Sequence, residues 1–363
     1  MMEIWLIALT PLILWSVPAT LQNVPLMRLI LFIFVIASAI LIASTVVASH
    51  AHTKAAIYQF AYNFKWPLML LLGFRLSWQV ADHARLYKFI WIYVLVVFAF
   101  VALDVVSPSL YQAINRNATE YHHTSNPLLA GQYYRLSGPF IHSSVLAYYS
   151  AMFIVLIAVQ RAAGLNKGLS GLLLIGCLAM SLACSGQMQE TAAALAISAL
   201  VFAAFRVKSI WTMAGLLGTL FLVVACAFVG VVGPERLMSL AYEWGFSQGV
   251  HAITSARPIL YSDSFALANE HFPLGTGLGT FAGAGAMKLN RELYDSLGYI
   301  SFWWYKKDRF LMDTYWPNFI AEGGWIVAFL LFMVPVLLAI YSMSRLISSS
   351  NPELKAVWAY ASG

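Results

Sequence analysis

The sequence predicts an all-α, polytopic helical membrane protein, and three observations carry that prediction. The 363 residues are 61% hydrophobic and only 10% charged, more apolar than the interior of one soluble globule can absorb. The apolar residues fall in runs long enough to cross about 30 Å of hydrocarbon as helices. Barrel-type strands, which would alternate apolar and polar residues, are absent.

Taken in order, the long uncharged stretches place helices near 4–20, 27–48, 66–80, 86–107, 140–160, 169–184, 190–206, 210–232 and 314–344. The first, "MMEIWLIALTPLILW", has no basic flank and no clear small-residue cleavage site, so it reads as a retained helix rather than a signal peptide. The third is the shortest and carries Arg75. The last precedes "PELKAVWAYASG", where a further apolar run begins, so the chain is expected to continue. Orientation follows from Lys and Arg, which are retained on the cytoplasmic side. One set of connections holds Arg28, Arg75, Arg85, Lys88, Arg161, Lys167, Arg206, Lys208, Arg345 and Lys355; the opposite set holds Lys54, Lys65, Arg116 and Arg135. The bias puts the N-terminus, beside Glu3, outside the membrane, together with the loops 108–139 and 233–313. No repeat or linker divides the chain, so residues 1–363 are expected to form a single membrane domain.

The net charge of +6 is spread over short loops, which reads as topology and not as a nucleic-acid surface. Cys177, Cys184 and Cys226 all lie in apolar runs, where packing is the expected role and neither a disulfide nor a metal site is indicated.

The segment 233–313 holds more than half of the acidic residues, and a loop of that length usually has structure or a task of its own. "ERLMSLAYEWGFSQGV" and "MKLNRELYDSLG" show three- and four-residue apolar spacing, expected to form short helices on the membrane surface. In "TSARPILYSDSFALANE", Thr254 or Ser255 can cap a helix and Pro258 fits its first turn. Arg257, Tyr261 and Ser264 then share a face. A guanidinium beside the free N–H groups of a helix start suits phosphate oxygens; a pair with Asp263 or with a lipid headgroup is the other reading. "FPLGTGLGTF" follows no strand and lacks the dinucleotide fingerprint. Its glycines are expected to fold the loop back over a cavity.

A second stretch, "NRNATEYHHTSNPLLAGQYYRLSGPFIHSS", gathers Tyr121, His122, His123, Tyr133, Tyr134, Arg135 and His142. Aromatic faces beside hydrogen-bonding groups suit sugars, and interfacial tyrosines that anchor a helix look the same. No partner at ligand spacing points the two adjacent histidines to a metal. In a third stretch, "WWYKKDRFLMDTYWPNFIAEGGWI", Asp313 and Glu322 lie where a loop re-enters the membrane. Carboxylates there are costly unless paired or used. Either can take a proton as a general base, and Asp313 can equally pair with Arg309 or Lys307.

Together "RLSGPF", "ARPILYSDSFALANEHFPLGTGLGTF" and "DTYWPNFIAEGGWI" resemble, in order, spacing and membrane side, the O-antigen ligase and polymerase superfamily of bacterial envelope polysaccharide enzymes. The resemblance implies a GT-C-like helical bundle with a large extracytoplasmic loop in the inner membrane, its active face periplasmic. It implies transfer of undecaprenyl-pyrophosphate-linked glycans without metal or cofactor, with a chain-length regulator as a further partner. Carried over by position, Arg257 grips the pyrophosphate, Arg135 is a second cation, and Asp313 assists the acceptor; Tyr134, His142, Tyr261 and Glu322 are candidate substrate contacts. Two departures are visible. Ligases commonly have histidine where this chain has Asp313, which favours a repeat-unit polymerase. The "SR" pair of the family is replaced by Ser185 followed by Gly186 and Gln187, one positive charge fewer. Transfer of finished glycan to lipid A-core or protein is the alternative within the enzymes; a transporter or flippase, or a purely structural assembly protein, is the alternative outside them.

Overall fold

The structure, a computed structural model, describes residues 25–63, 65–75, 80–115, 134–165, 168–206, 212, 215, 256–307, 311 and 315–351. The regular elements among these residues are helices. Four are long and apolar enough to cross a membrane: Leu26–Val47, Ala84–Val106, Ser143–Ala162 and Trp316–Ser348. The chain is therefore a helical membrane protein, and a lipid bilayer is its surrounding. The expected helices at 4–20 and 210–232, and the helix expected from "ERLMSLAYEWGFSQGV", lie outside the described residues or nearly so.

The helices are α1 (Pro25–Val47), α2 (Thr53–Asn63), α3 (Lys65–Arg75), α4 (Val80–Val106), α5 (Pro108–Ile114), α6 (Ser143–Ala162), α7 (Leu169–Ser185), α8 (Met188–Arg206), α9 (Ala256–Glu270), α10 (Ala284–Leu289), α11 (Glu292–Ser296), α12 (Trp303–Lys306) and α13 (Trp316–Ser348). Two differences from the sequence expectation concern elements that polarity hid. Helix α2 falls in a stretch expected to be a loop. The single helix expected from "MKLNRELYDSLG" is two, α10 and α11, parted at Asn290. The helices fall into two compact units. One contains α1–α3, α9–α12 and most of α13; the other contains α4–α8 and the end of α13.

In the second unit α6 is the central helix, with α4, α7 and α8 packed on it. Ile90 and Val94 of α4, Ile154 and Ile157 of α6, and Leu174 and Leu178 of α7 form its main core. The short helix α5 starts with Pro108, which suits a first turn. It is tied to the segment before α6: Tyr111 Oη donates to the Gly138 carbonyl at 2.9 Å, and Asn115 Nδ2 to the Phe140 carbonyl at 2.9 Å.

In the first unit α1 buries Met27, Ile30, Ala37, Leu41 and Ser44, spaced by three or four residues or their sums, while Phe32, Val35, Ile42 and Val46 on other faces stay exposed. A helix that is apolar all round with one packed stripe is what lipid on the remaining faces requires. The segment 256–311 has an aromatic core of its own. Phe281 stacks on Tyr294 at 5.2 Å, Tyr294 meets Tyr299 at 5.2 Å, and Tyr299 meets Trp304 edge-on at 5.4 Å. Each such pair adds about 0.5–1.5 kcal/mol beyond the area it buries. The phenol groups find partners: Tyr299 Oη donates to Asp263 Oδ2 at 2.6 Å, and Tyr294 Oη accepts from the Ala282 N–H at 2.6 Å. Ala282 has φ +51, a left-handed backbone in a residue other than glycine, and the Tyr294 hydroxyl helps fix it there. Tyr294→Phe would orphan that buried N–H and is expected to cost about 1–3 kcal/mol, read as a lowered unfolding temperature of the detergent-purified protein.

The glycine-rich loop is the main correction to the sequence reading. It does not fold over a cavity: residues 275–286 are all buried and pack against α1, α2 and a break in α13. Gly324, at φ +70 and ψ −176, interrupts α13 and frees the preceding carbonyls. Ala321 O accepts from the Thr276 N–H at 2.8 Å and Glu322 O from the Gly277 N–H at 3.0 Å. Ser44 Oγ of α1 lies 2.7 Å from the Gly275 carbonyl and 3.0 Å from the Glu322 carbonyl, and accepts from the Gly275 N–H at 3.1 Å. Thr45 Oγ1 accepts from the Leu278 N–H at 2.9 Å. Irregular backbone beside membrane-spanning helices is tolerated only when its polar groups are satisfied inside the protein, and α1 and α13 do this here.

Candidate functional site

Arg257 lies in the first turn of α9, exposed. Tyr261, one turn on, feels its charge: burial pushes the phenol up and the Arg257 guanidinium opposes that shift. The two residues therefore share a face, as their spacing predicts. Ser264 does not join them. It is buried, with its hydroxyl donated back to the Tyr261 carbonyl at 2.8 Å. Asp263, the carboxylate that could have paired with Arg257, accepts the Tyr299 hydroxyl, and burial holds its carboxyl above the usual range against that bond.

The sequence reading missed how the row continues. Tyr261 lies 6.0 Å from Phe265, and Phe265 stacks on Trp325 at 5.3 Å. Trp325 Nε1 donates to Asn269 Oδ1 at 2.8 Å, which holds α13 against α9. Arg257, Tyr261 and Phe265 stand one helical turn apart, and Trp325 extends them just beyond the break. The four-residue spacing was the available signal; the partner on α13 was not visible.

Glu322 sits at 0% exposure, beneath the glycine loop. Its Oε1 accepts the backbone N–H groups of Thr280 at 3.0 Å and Phe281 at 3.3 Å. Asn318, one turn before, donates to the Phe281 carbonyl at 3.0 Å, and its Oδ1 accepts from Gln59 Nε2 at 3.3 Å. Glu322 thus serves as a tie for the loop that frames α9 and the start of α13.

The other unit holds Tyr134, Arg135 and His142. Tyr134 is 59% exposed and Arg135 half-buried. Next to them the Leu136 N–H donates to the Cys184 carbonyl at 2.9 Å, which lays this strand-like segment along the end of α7. His142 takes the N-cap position of α6 in an extended conformation, without a side-chain capping bond. Gln187 follows the left-handed cap Gly186 (φ +66) of α7 and donates to Ser143 Oγ at 3.1 Å. His142 and Gln187 thereby both stand at the start of α6, while the backbone beside Arg135 runs along the end of α7. Asp313, and with it Tyr121, His122, His123 and Tyr133, lies outside the described residues.

A second group that sequence reading overlooked joins α1, α2 and α11. Glu292 lies between His52, at 3.2 Å, and His50, at 3.5 Å, while Asn290 Nδ2 donates to the His50 carbonyl at 2.7 Å. The contact with His52, then that with His50, holds the Glu292 carboxyl below the usual carboxylate range. A depressed pKa contributes stability above the unfolded value, about 4.3, that is lost as pH falls through the folded value. Glu292→Gln is expected to lower the unfolding temperature slightly at pH 7, where that contribution is present, and to flatten its fall between about pH 5 and 3. Among the described residues no three His, Cys, Asp or Glu side chains are arranged to hold a metal ion.

Comparison with protein-family models, with curated proteins and with solved structures finds no match.

Proposed function

We propose that this chain is an inverting glycosyltransferase of the bacterial inner membrane. It would polymerise undecaprenyl-pyrophosphate-linked glycan repeat units, of exopolysaccharide or O-antigen, at the periplasmic face of a GT-C-like bundle. The observation that carries the reading is the exposed Arg257 at the head of an aromatic row, Tyr261, Phe265 and Trp325. A guanidinium beside stacked aromatic faces suits a ligand that joins a diphosphate to sugar rings or a hydrocarbon chain.

In the reaction an acceptor hydroxyl oxygen attacks the anomeric carbon as the bond from that carbon to the pyrophosphate oxygen breaks. The bonding electrons leave with the pyrophosphate, and the hydroxyl proton passes to a base. Charge grows on the leaving group, where a fixed cation lowers the barrier. Arg257 takes that part, and Asp313 orients or deprotonates the acceptor. Tyr261 contacts the glycans, and Glu322 maintains the frame.

One observation favours a transporter: a helix broken at Gly324 beside a buried carboxylate, the pattern of discontinuous transport helices. Two facts weigh against it. The free carbonyls at the break are occupied by Ser44 and the glycine loop. The 24 residues from Trp325 to Ser348 alone span about 36 Å, so the break lies near one end of the membrane crossing and not at its middle. A deletion strain separates the readings. Loss of a polymerase leaves single repeat units on the final acceptor, loss of a ligase leaves full-length polymer on the lipid carrier, and loss of a flippase leaves single units on the cytoplasmic face. The polymerase reading predicts the first, and either other pattern contradicts it.

A further inference from the structure

A cavity of about 300 Å³ opens within the first unit, lined by Ala37 and Ser38 of α1, Phe60 and Asn63 of α2, and Phe319 and Leu331 of α13, among others. Its volume is at the lower end of ligand-sized pockets. The described lining is apolar except for a few neutral polar groups, and none of the described residues that line it is charged. α1 and α13 are both long enough to cross the bilayer, so hydrocarbon chains are the solvent on this side of the molecule. A void of this size left empty forfeits packing, and water needs several polar partners to stay.

Among the described residues that line the cavity, Asn63 carries a buried side-chain atom without a hydrogen-bond partner, and the hydrogen-bond network fixes its identity. The Gly285 N–H donates to Gln59 Oε1 at 2.8 Å. A backbone N–H can only donate, so the Gln59 amide is oriented with Nε2 toward the other side, where it donates to Asn63 Oδ1 at 2.9 Å. Asn63 is oriented in turn, and its Nδ2, buried, has no hydrogen-bond partner. The chain of amides runs from the glycine loop to Asn63 and ends on an unused donor. A buried donor of this kind calls for an acceptor.

The level of Asn63 in the membrane narrows what that acceptor is. Lys65 Nζ lies 4.0 Å from the centre of the Tyr62 ring, and Tyr315 and Trp316 line the same cavity. Tyr, Trp and Lys gather at the boundary between hydrocarbon and headgroups, where the ester carbonyls of phospholipids lie. A phosphate would ask for a charged partner, and the described lining residues supply none; an ester carbonyl asks only for a neutral N–H.

We propose that this cavity is a binding site for one acyl chain of an ester-linked phospholipid, seated with its carbonyl oxygen on Asn63 Nδ2. The bound lipid fills the space between α1, α2 and the stretch of α13 on both sides of its break. The site is separate from glycosyl transfer, and its test reads lipid occupancy and no reaction.

The full chain in nanodiscs is irradiated with a phosphatidylethanolamine that carries a diazirine on its acyl chain, and labelled peptides are mapped. Label is expected to concentrate on cavity residues of α1, α2 and α13 above the level on the exposed α1 residues Phe32 and Val35. Ser38→Phe, which fills the cavity, should remove the excess. Asn63→Asp keeps the acceptor for Gln59 while removing the donor, and should lower it by about tenfold, the worth of one hydrogen bond. Leu331→Phe fills the cavity from the α13 side and takes the place of Ser38→Phe if that variant does not accumulate. Cavity labelling no greater than at Phe32 and Val35, or labelling unchanged in the filled variant and in Asn63→Asp, overturns the proposal. So does preferential labelling by a diazirine-bearing polyprenyl phosphate.

Discussion

Gly279→Ala is expected to destabilise the protein by about 3 kcal/mol or more and to reduce its accumulation in the membrane. Two costs combine. Gly279 has φ +72, a conformation that costs an L-residue about 1–2 kcal/mol. A Cβ built there would lie 2.5 Å from the Ala55 carbonyl carbon and 2.6 Å from its oxygen. Those atoms are backbone of α2, so relief requires moving a helix, and overpacking of this kind costs about 1–3 kcal/mol by itself. Gly298 provides the comparison. Its φ is +78, yet a Cβ would meet nothing within 4 Å, so Gly298→Ala is expected to cost only the backbone part, about 1–2 kcal/mol. Thermal unfolding of both variants in detergent measures the difference. Equal, small losses would mean that the loop is not clamped against α2.

Arg257→Ala is expected to lower polymer formation on the order of 100- to 1,000-fold, the usual consequence of removing one fixed group that faces developing negative charge. The residue is exposed in the first turn of α9, and membrane levels and unfolding temperature are measured beside the product so that loss of transfer is told apart from loss of protein. Arg257→Lys keeps the charge without the planar pair of donors and should fall between the two. Glycan length on a gel, beside a membrane-protein blot, reads both quantities. Unaltered chain lengths with Arg257→Ala would remove the residue from the transfer step.

The long apolar elements were legible because their information is local. The expected spans at 27–48, 140–160, 169–184 and 190–206 correspond to α1, α6, α7 and α8 within three residues at each end. What escaped depends on partners far along the chain. Helix α2, "TKAAIYQFAYN", is too short and too polar to announce itself. It is held in place by Ala55 and Gln59 packing against Gly279, Gly283 and Gly285, more than two hundred residues away. The interruption of α13 was hidden because apolar composition does not report backbone angles, although the adjacent Gly323 and Gly324 were a signal. Of the candidate site, the face shared by Arg257 and Tyr261 could be read from four-residue spacing. The continuation through Phe265 to Trp325 could not, nor could the enclosure of Glu322, whose carboxylate answers to N–H groups some forty residues earlier.

The most direct measurement of the central claim uses purified full-length protein in nanodiscs, supplied with the undecaprenyl-pyrophosphate-linked repeat unit of its own strain and no nucleotide sugar. The account predicts a ladder of longer lipid-linked glycans with release of undecaprenyl pyrophosphate, and no ladder with Arg257→Ala. Recovery of the repeat unit unchanged by wild-type protein, or an equal ladder from Arg257→Ala, would contradict it.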